Sequence, residues 1–305
     1  MKEPSKTGSF RTRGETIISK ASRTVPGFGE TYQKFEQHLV LHQRSFSALK
    51  NYGRSIAKVA LHFGMDPLFV SIEQINAFLY DLLTHSSPSK SYFRHTVYGL
   101  KCLFRFNGMD AKALQMPPVK DPDTLPVVLS QNEVKRLLAT TANLKHRVLL
   151  GLLYGSGLRM NEARILKITD IDSDRLQVHV CQGKGRKDRY VVLSALLLKG
   201  LREYYLNERP QVYLFNGHKP GRPMGERSIQ WIIDQAVERA GIQKQATCHT
   251  LRHSFATHLL ENGVDLFTIK EQLGHARIES TLVYLHIARF SPRAVKSPLD
   301  SLYGI

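Results

Sequence analysis

The sequence predicts a mainly α-helical, two-domain protein with one small β-hairpin, an α+β chain in which helices dominate. Three observations carry this prediction. Apolar residues recur at helical spacing over most of residues 30–115 and again over 129–290. Between these regions, Met116–Pro126 holds four prolines in eleven residues, which rules out a continuous helix and favours an extended linker. Strict alternation of apolar and polar residues is confined to about residues 175–193, on either side of a glycine- and lysine-rich turn.

Residues 1–29 carry lysine, arginine, serine and glycine with little periodicity and read as a basic, disordered arm. From Glu30 the pattern turns helical. Phe35, Leu39 and His42 begin one apolar stripe, and Tyr52, Ile56, Val59 and Phe63 form a second that stops at Gly64. Ile72, Ile75, Phe78, Leu79 and Leu82 form a third, opened by a capping box of Ser71 and Gln74. Tyr92, Val97, Leu100, Leu103 and Phe104 form a fourth, so residues 30–115 make a small all-α domain. Ser45, Ser47, Lys50, Asn51, Arg54 and Lys58 lie on and before one exposed helix face, a pattern that suits phosphate contacts and equally a solvated surface.

After a linker at 116–128, Ser130 and Glu133 form a second capping box ahead of a helix through Leu137 and Leu138. The apolar run Val148–Tyr154 reads as a buried helix that ends in a glycine turn. Arg159 follows at the mouth of the next helix, placed to present its guanidinium to an anion, with Glu162 one turn on to hold it. The hairpin comes next, with Leu176, Val178 and Val180 on one face, a basic tip at Gly183–Asp188, then Tyr190 and Val192. Two further helices run through Leu198, Leu201 and Tyr205 and through Ile229, Ile232 and Val237. Between them lie a strand-like Val212–Phe215 and a basic loop at His218–Arg222. Arg227 and Ser228 open the second helix, where a backbone phosphate would be reached.

Residues 249–284 combine two short amphipathic helices with polar groups that a scaffold does not need. Leu251, Phe255 and Leu259 line the first helix, which stops at Gly263. Asp265 caps the second, Leu266, Ile269 and Leu273 line it, and Gly274 ends it. His249 and Arg252 are one turn apart and share a face. His275 follows the helix-stopping glycine, and Tyr284 lies nine residues further on. Two imidazoles, a guanidinium and a phenol therefore have the means to converge.

The net charge of +17, basic on both sides of the proline-rich break, points to a polyanionic partner, nucleic acid before membrane. Cys102, Cys181 and Cys248 are widely spaced with no CxxC, so neither a disulfide framework nor a zinc site is suggested. No signal peptide or apolar run of spanning length appears, and a reduced, cytoplasmic protein is expected. A P-loop, an acidic metal cluster and a His-Glu-x-x-His motif are all missing from the sequence, so no cofactor is expected.

Gly-Leu-Arg-x-x-Glu at 157–162, Gly-Lys-Gly at 183–185, His-x-x-Arg at 249–252, Leu-Gly-His at 273–275 and the tyrosine at 284 stand in order over about 125 residues. This succession resembles the active-site boxes of the tyrosine recombinases, the phage-integrase and Xer-type family. The resemblance implies a SAM-like core-binding domain at 30–115, a tyrosine-recombinase catalytic domain at 129–290 and a tail at 291–305. It implies catalytic roles for Arg159, Lys184, His249, Arg252, His275 and Tyr284, with Lys187 the rival of Lys184 in the same turn. Lys50, Arg54, Lys58, Arg186, Lys187 and Arg227 are the candidate DNA contacts. The implied partners are double-stranded DNA with paired recombination sites and further copies of the chain, two per site and four in a synapse, with accessory DNA-bending or partner recombinases a further option. After Tyr284, Pro292 and Pro298 interrupt the chain, so a long exchanged helix is not expected; Leu299, Leu302 and Ile305 are offered for docking on a neighbour.

The residue types fit the implied chemistry. Cleaving a phosphodiester covalently builds charge on two non-bridging oxygens, and arginine forks stay charged and donate in pairs to such oxygens. A tyrosine nucleophile has a free pKa of about 10 and needs positive surroundings and an acceptor. The product is a 3′-phosphotyrosyl link and a 5′-hydroxyl, with a lysine suited to protonate the leaving oxygen. Such a link can be rejoined to another strand without ATP or metal. Two alternatives use the same residues: a type IB topoisomerase that nicks and closes, and a protein of this fold that only binds DNA. Tyr154, Tyr190, Tyr204, Tyr205 and Tyr213 sit in apolar segments and are expected in the core. His253 and His258 are expected to pack or to act behind the site, and His286 matches no box.

Overall fold

The structure, a computed structural model, describes residues 15–42, 46–85, 90–118, 125–181, 188–217 and 221–288. The chain divides into two compact units, residues 1–122 and 123–305. In the first unit the described helices are α1 (Ile17–Thr24), α2 (Phe28–Leu41), α3 (Phe46–Phe63), α4 (Ile72–His85), α5 (Lys90–Phe106) and the short α6 (Asp110–Leu114). Phe28, Phe35, Ile56, Ile75, Leu100 and Phe104 meet in their common core. Ser71 and Gln74 form the expected reciprocal cap of α4, each backbone N–H donating to the other's side-chain oxygen at 3.1 and 3.2 Å.

The disordered arm expected over residues 1–29 is corrected here. Thr16 caps α1 through its hydroxyl, and Ala21, Val25 and Phe28 are buried against the other helices. Ala21, Val25 and Phe28 lie three or four residues apart, but the short stripe is diluted by lysine, arginine and serine. Residues 1–14 lie outside the described residues. Met116, expected to open the linker, belongs to the first core, and Leu129 to the second.

The second unit opens with α7 (Gln131–Ala139), capped by Ser130 and Glu133 as expected. Buried α8 (Leu144–Gly155) and the short α9 (Met160–Ile165) follow, then a 3-10 turn at Ile168–Asp170. Strands β1 (Ile171–Asp172), β2 (Gln177–Val180) and β3 (Arg189–Val192) form an antiparallel sheet in the order β1-β2-β3. Register Val178↔Val191 turns Val178, Val180, Val191 and Leu193 inward. Tyr190 and Val192 therefore face outward, 54% and 43% exposed, and Leu176 stands at positive φ before the strand rather than on its inner face. Tyr190 instead stacks across the ladder on His179. No strand is assigned to Val212–Phe215, which contributes only the bridge Lys167↔Tyr213.

Helices α10 (Ala195–Glu208), α11 (Glu226–Arg239), α12 (Cys248–Glu261), α13 (Leu266–Leu273) and α14 (Glu279–Leu282) complete the unit, ending in a 3-10 turn at Val283–His286. The main core gathers α8, β2, β3, α11 and the start of α12. A satellite cluster of Phe255, Ala256, Leu260, Ile269 and Leu273 surrounds Tyr284. Of the tyrosines expected in the core, Tyr204 is buried and donates to Leu214 O at 2.8 Å, whereas Tyr190 and Tyr205 are exposed. No helix among the described residues is long and apolar enough to cross a membrane.

Candidate active site

Two helix-terminal glycines build the arginine cradle. Gly157, after α8, and Gly274, after α13, both stand in the left-handed region, at φ 60° and 61°. Each presents its carbonyl to a guanidinium: Arg252 Nη1 donates to Gly157 O at 2.7 Å and Arg159 Nη2 to Gly274 O at 3.2 Å. Any side chain at Gly157 would also collide with Phe255, 2.4 Å from the position of a Cβ. Arg252, on α12, is 4% exposed and also donates to Leu273 O.

Glu162, on α9, is the anion that holds these cations. It is 7% exposed and accepts from Arg159 N at 2.8 Å and from Arg159 Nη1 at 2.7 Å. Arg189 of β3 reaches the same carboxylate with both terminal nitrogens, at 3.0 and 2.8 Å, while its Nε donates to Gln272 O at 3.0 Å. Burial pushes the Glu162 pKa up, but Arg189 and Arg159 outweigh it and hold the carboxyl at about 2. One carboxylate thus serves two guanidiniums directly, with Arg252 Nη1 3.9 Å away. The site keeps a surplus of positive charge, as an anion site requires.

Tyr284 is 1% exposed, and its hydroxyl lies 3.0 Å from His253 Nδ1. Burial raises the phenol's pKa, and the charges of Arg252 and Arg159 oppose that rise. His275 stands nearly parallel to the Tyr284 ring, with Nδ1 3.0 Å from Thr281 Oγ1. Burial lowers the His275 pKa to about 4, helped by Arg252 and Arg159; burial, His249 and Arg252 do the same to His253. Both imidazoles are neutral near pH 7. His249 stands exposed at the rim, yet the protein around its ring, then Arg252 and Arg159, still disfavour its charged form.

The structure therefore brings together Arg159, Arg252, His249, His275 and Tyr284 from the predicted set. Lys184, Arg186 and Lys187 lie outside the described residues. Lys50, Arg54 and Lys58 fall at four-residue intervals on one exposed face of α3 in the first unit, with Lys58 Nζ over the Tyr92 ring, and Arg227 is exposed on the first turn of α11. Two residues were missed by sequence reasoning. His253, expected to pack or to act behind the site, touches the tyrosine hydroxyl itself; its spacing of four residues from His249 on one helix was the available signal. Arg189, a strand arginine, gave no local signal, because its partners lie 27 and 83 residues away. His258, by contrast, packs behind the site with Nδ1 3.0 Å from Tyr154 Oη.

The model of the phage integrase family matches residues 127–289. A putative integrase/recombinase of Sinorhizobium fredii is 36% identical over 274 residues, covering 88% of this chain and 88% of its own. Tyrosine recombinase XerA of Thermococcus onnurineus is 34% identical over 268 residues, covering 86% and 93%. Among solved structures, the XerH site-specific recombinase bound to palindromic difH substrate in a post-cleavage complex superposes with a TM-score of 0.68. It is 20% identical and covers 95% of this chain and 93% of its own, a likeness of fold.

Proposed function

The chain belongs to the phage integrase family of tyrosine recombinases, site-specific enzymes that cleave and rejoin DNA, and we propose how its residues divide that reaction. Tyr284 is the nucleophile. Its oxygen forms a bond to the scissile phosphorus while the bond to the 5′-oxygen breaks, leaving a 3′-phosphotyrosyl link and a free 5′-hydroxyl. Arg159 and Arg252 grip the non-bridging oxygens, since bidentate forks match developing phosphate charge. His249 at the rim and His275 beside the tyrosine ring add donors, and His253 orients the tyrosine hydroxyl and takes its proton. Lys184 supplies the proton to the leaving oxygen. Glu162 and Arg189 position the arginines without touching the phosphate. Rejoining is the same path reversed with a different 5′-hydroxyl.

The observation that supports this reading above all others is Tyr284, held against His253 within the charge of two anchored arginines. Lys50, Arg54, Lys58, Arg186, Lys187 and Arg227 bind the duplex backbone, and copies pair on each site and meet as four in a synapse; the family relationship supports that assembly. The same relationship favours recombination over nicking-closing or binding alone.

The test is a nicked duplex that traps the covalent step, incubated in EDTA with the wild type and with Tyr284→Phe. A denaturation-resistant adduct with the wild type alone is expected. An adduct that survives Tyr284→Phe moves the nucleophile elsewhere, and salt-sensitive binding without any adduct returns the chain to the binding-only class.

A further inference from the structure

One cluster of unlike ligating groups stands apart from the cleavage site. His179 and Cys181 are two residues apart at the end of β2, so the strand period turns both to one side. The 3-10 turn brings Asp170 against them. Cys181 Sγ lies 3.3 Å from His179 Nδ1 and 3.8 Å from Asp170 Oδ1, and one ligand atom from each of the three residues fits within 4.8 Å of the others.

These separations suit one ion. With zinc–sulfur near 2.3 Å and zinc–nitrogen or –oxygen near 2.0 Å, the edge from sulfur in a tetrahedral site is about 3.5 Å. The two measured edges to sulfur fall on either side of that length. The carboxylate is also oriented towards the thiol. Asp170 Oδ2 accepts the Lys167 N–H at 2.8 Å, which steadies the carboxylate with Oδ1 towards the thiol. His179 Nε2, 3.9 Å from the thiol, lies 3.5 Å from Asp188 Oδ2 at the entrance to β3. A carboxylate behind a ligating imidazole fixes its tautomer and raises its basicity. Stacking on Tyr190, with ring centroids 4.7 Å apart, holds the ring's plane. Sulfur, imidazole and carboxylate together favour zinc over magnesium or calcium, which select oxygen alone.

We propose that Asp170, His179 and Cys181 form a three-ligand site for a zinc-class divalent ion, with Asp188 orienting the imidazole. Binding releases the Cys181 thiol proton to solvent, and water completes the coordination on the exposed side. The bound ion ties the end of β2 to the 3-10 turn where the chain enters residues 182–187. It stands outside the cleavage chemistry, and its test reads the metal, so the recombinase reading and this site fail separately.

The full-length chain, stripped of metal, is titrated with Co²⁺ and then with Zn²⁺. One equivalent of Co²⁺ is expected to produce a sulfur-to-cobalt charge-transfer band in the near ultraviolet, with visible bands of tetrahedral intensity, all removed by one equivalent of Zn²⁺. Cys181→Ser abolishes the charge-transfer band, while Cys102→Ser and Cys248→Ser retain it. Asp188→Asn keeps the band and weakens affinity about 10- to 100-fold, the effect of losing an outer-shell partner. Circular dichroism verifies that each variant is folded. A band that survives Cys181→Ser, or no band at saturating Co²⁺ with folded wild type, overturns the proposal.

Discussion

Replacing Glu162 with glutamine keeps the shape of the side chain and removes the one carboxylate shared by Arg159 and Arg189. The native carboxyl sits at about 2 against an ordinary value of 4.5, because four hydrogen bonds from the two arginines outweigh the cost of burial. A shift of that size stabilises the folded state by roughly 3 kcal/mol at neutral pH. The sign follows from the depressed pKa: the contribution is complete above 4.5 and is lost as pH falls towards 2. Loss of one partner from a buried ion cluster costs a comparable amount, since cations are left uncompensated. Trp231, the one tryptophan of the chain, lies on α11 of the second unit, so its fluorescence reports that unit's unfolding in urea. With an m-value of about 2 kcal/mol per molar urea, Glu162→Gln is expected to lower the midpoint by about 1.5 M at pH 7 and by about half as much near pH 3. A midpoint shift below about 0.5 M at pH 7, or an equal shift at both pH values, would refute the assignment of Glu162 as the electrostatic anchor.

Gly157→Ala is expected to destabilise the same transition by about 2 to 4 kcal/mol, from the positive φ together with the overlap on Phe255. It also displaces the carbonyl that anchors Arg252, so adduct formation should fall with stability; a loss below about 1 kcal/mol would contradict the close approach. Exchanging Lys50, Arg54 and Lys58 together for alanine should reduce the slope of log affinity for duplex DNA against log salt by about 2.7, the value for three lost phosphate contacts. An unchanged slope would make that face of α3 a solvated surface only.

How far the site could be read in the sequence depends on the distance over which each residue is specified. Arg159, His249, Arg252, His275 and Tyr284 stand beside helix caps and stops, where residue type and spacing drew attention to them, and the resemblance to the recombinase boxes supplied their roles. Glu162 was legible for the same reason, one helical turn from Arg159. Arg189 was not, because β3 meets α9 and α13 only through the tertiary fold. The hairpin was legible, and with it the inward Val178 and Val180 of β2, but the inner face of β3 was not: one register step separates Tyr190 and Val192 from Val191 and Leu193, and apolar character occurs at all four. The Asp170–His179–Cys181 cluster was hidden likewise, since Asp170 reaches β2 through a turn whose course depends on Leu166 pairing with Leu214.

The surroundings of Tyr284 constrain the order of events in the proposed reaction. Its phenol is raised above 10 by burial, and its nearest nitrogen acceptor, His253, is held at about 4. Full proton transfer between them before attack is therefore strongly uphill. That cost is avoided if the proton leaves as the oxygen–phosphorus bond forms, because the phenol's acidity rises as its oxygen gives up charge to phosphorus. The same arrangement keeps the tyrosine a neutral, unreactive phenol until a phosphate occupies the arginines. A depressed imidazole pKa thus suits His253 to orient the hydroxyl at rest and to accept its proton only in the transition state. Anchoring Arg159 and Arg252 through backbone carbonyls and Glu162, rather than through the tyrosine, leaves the tyrosine free to meet the phosphate they hold.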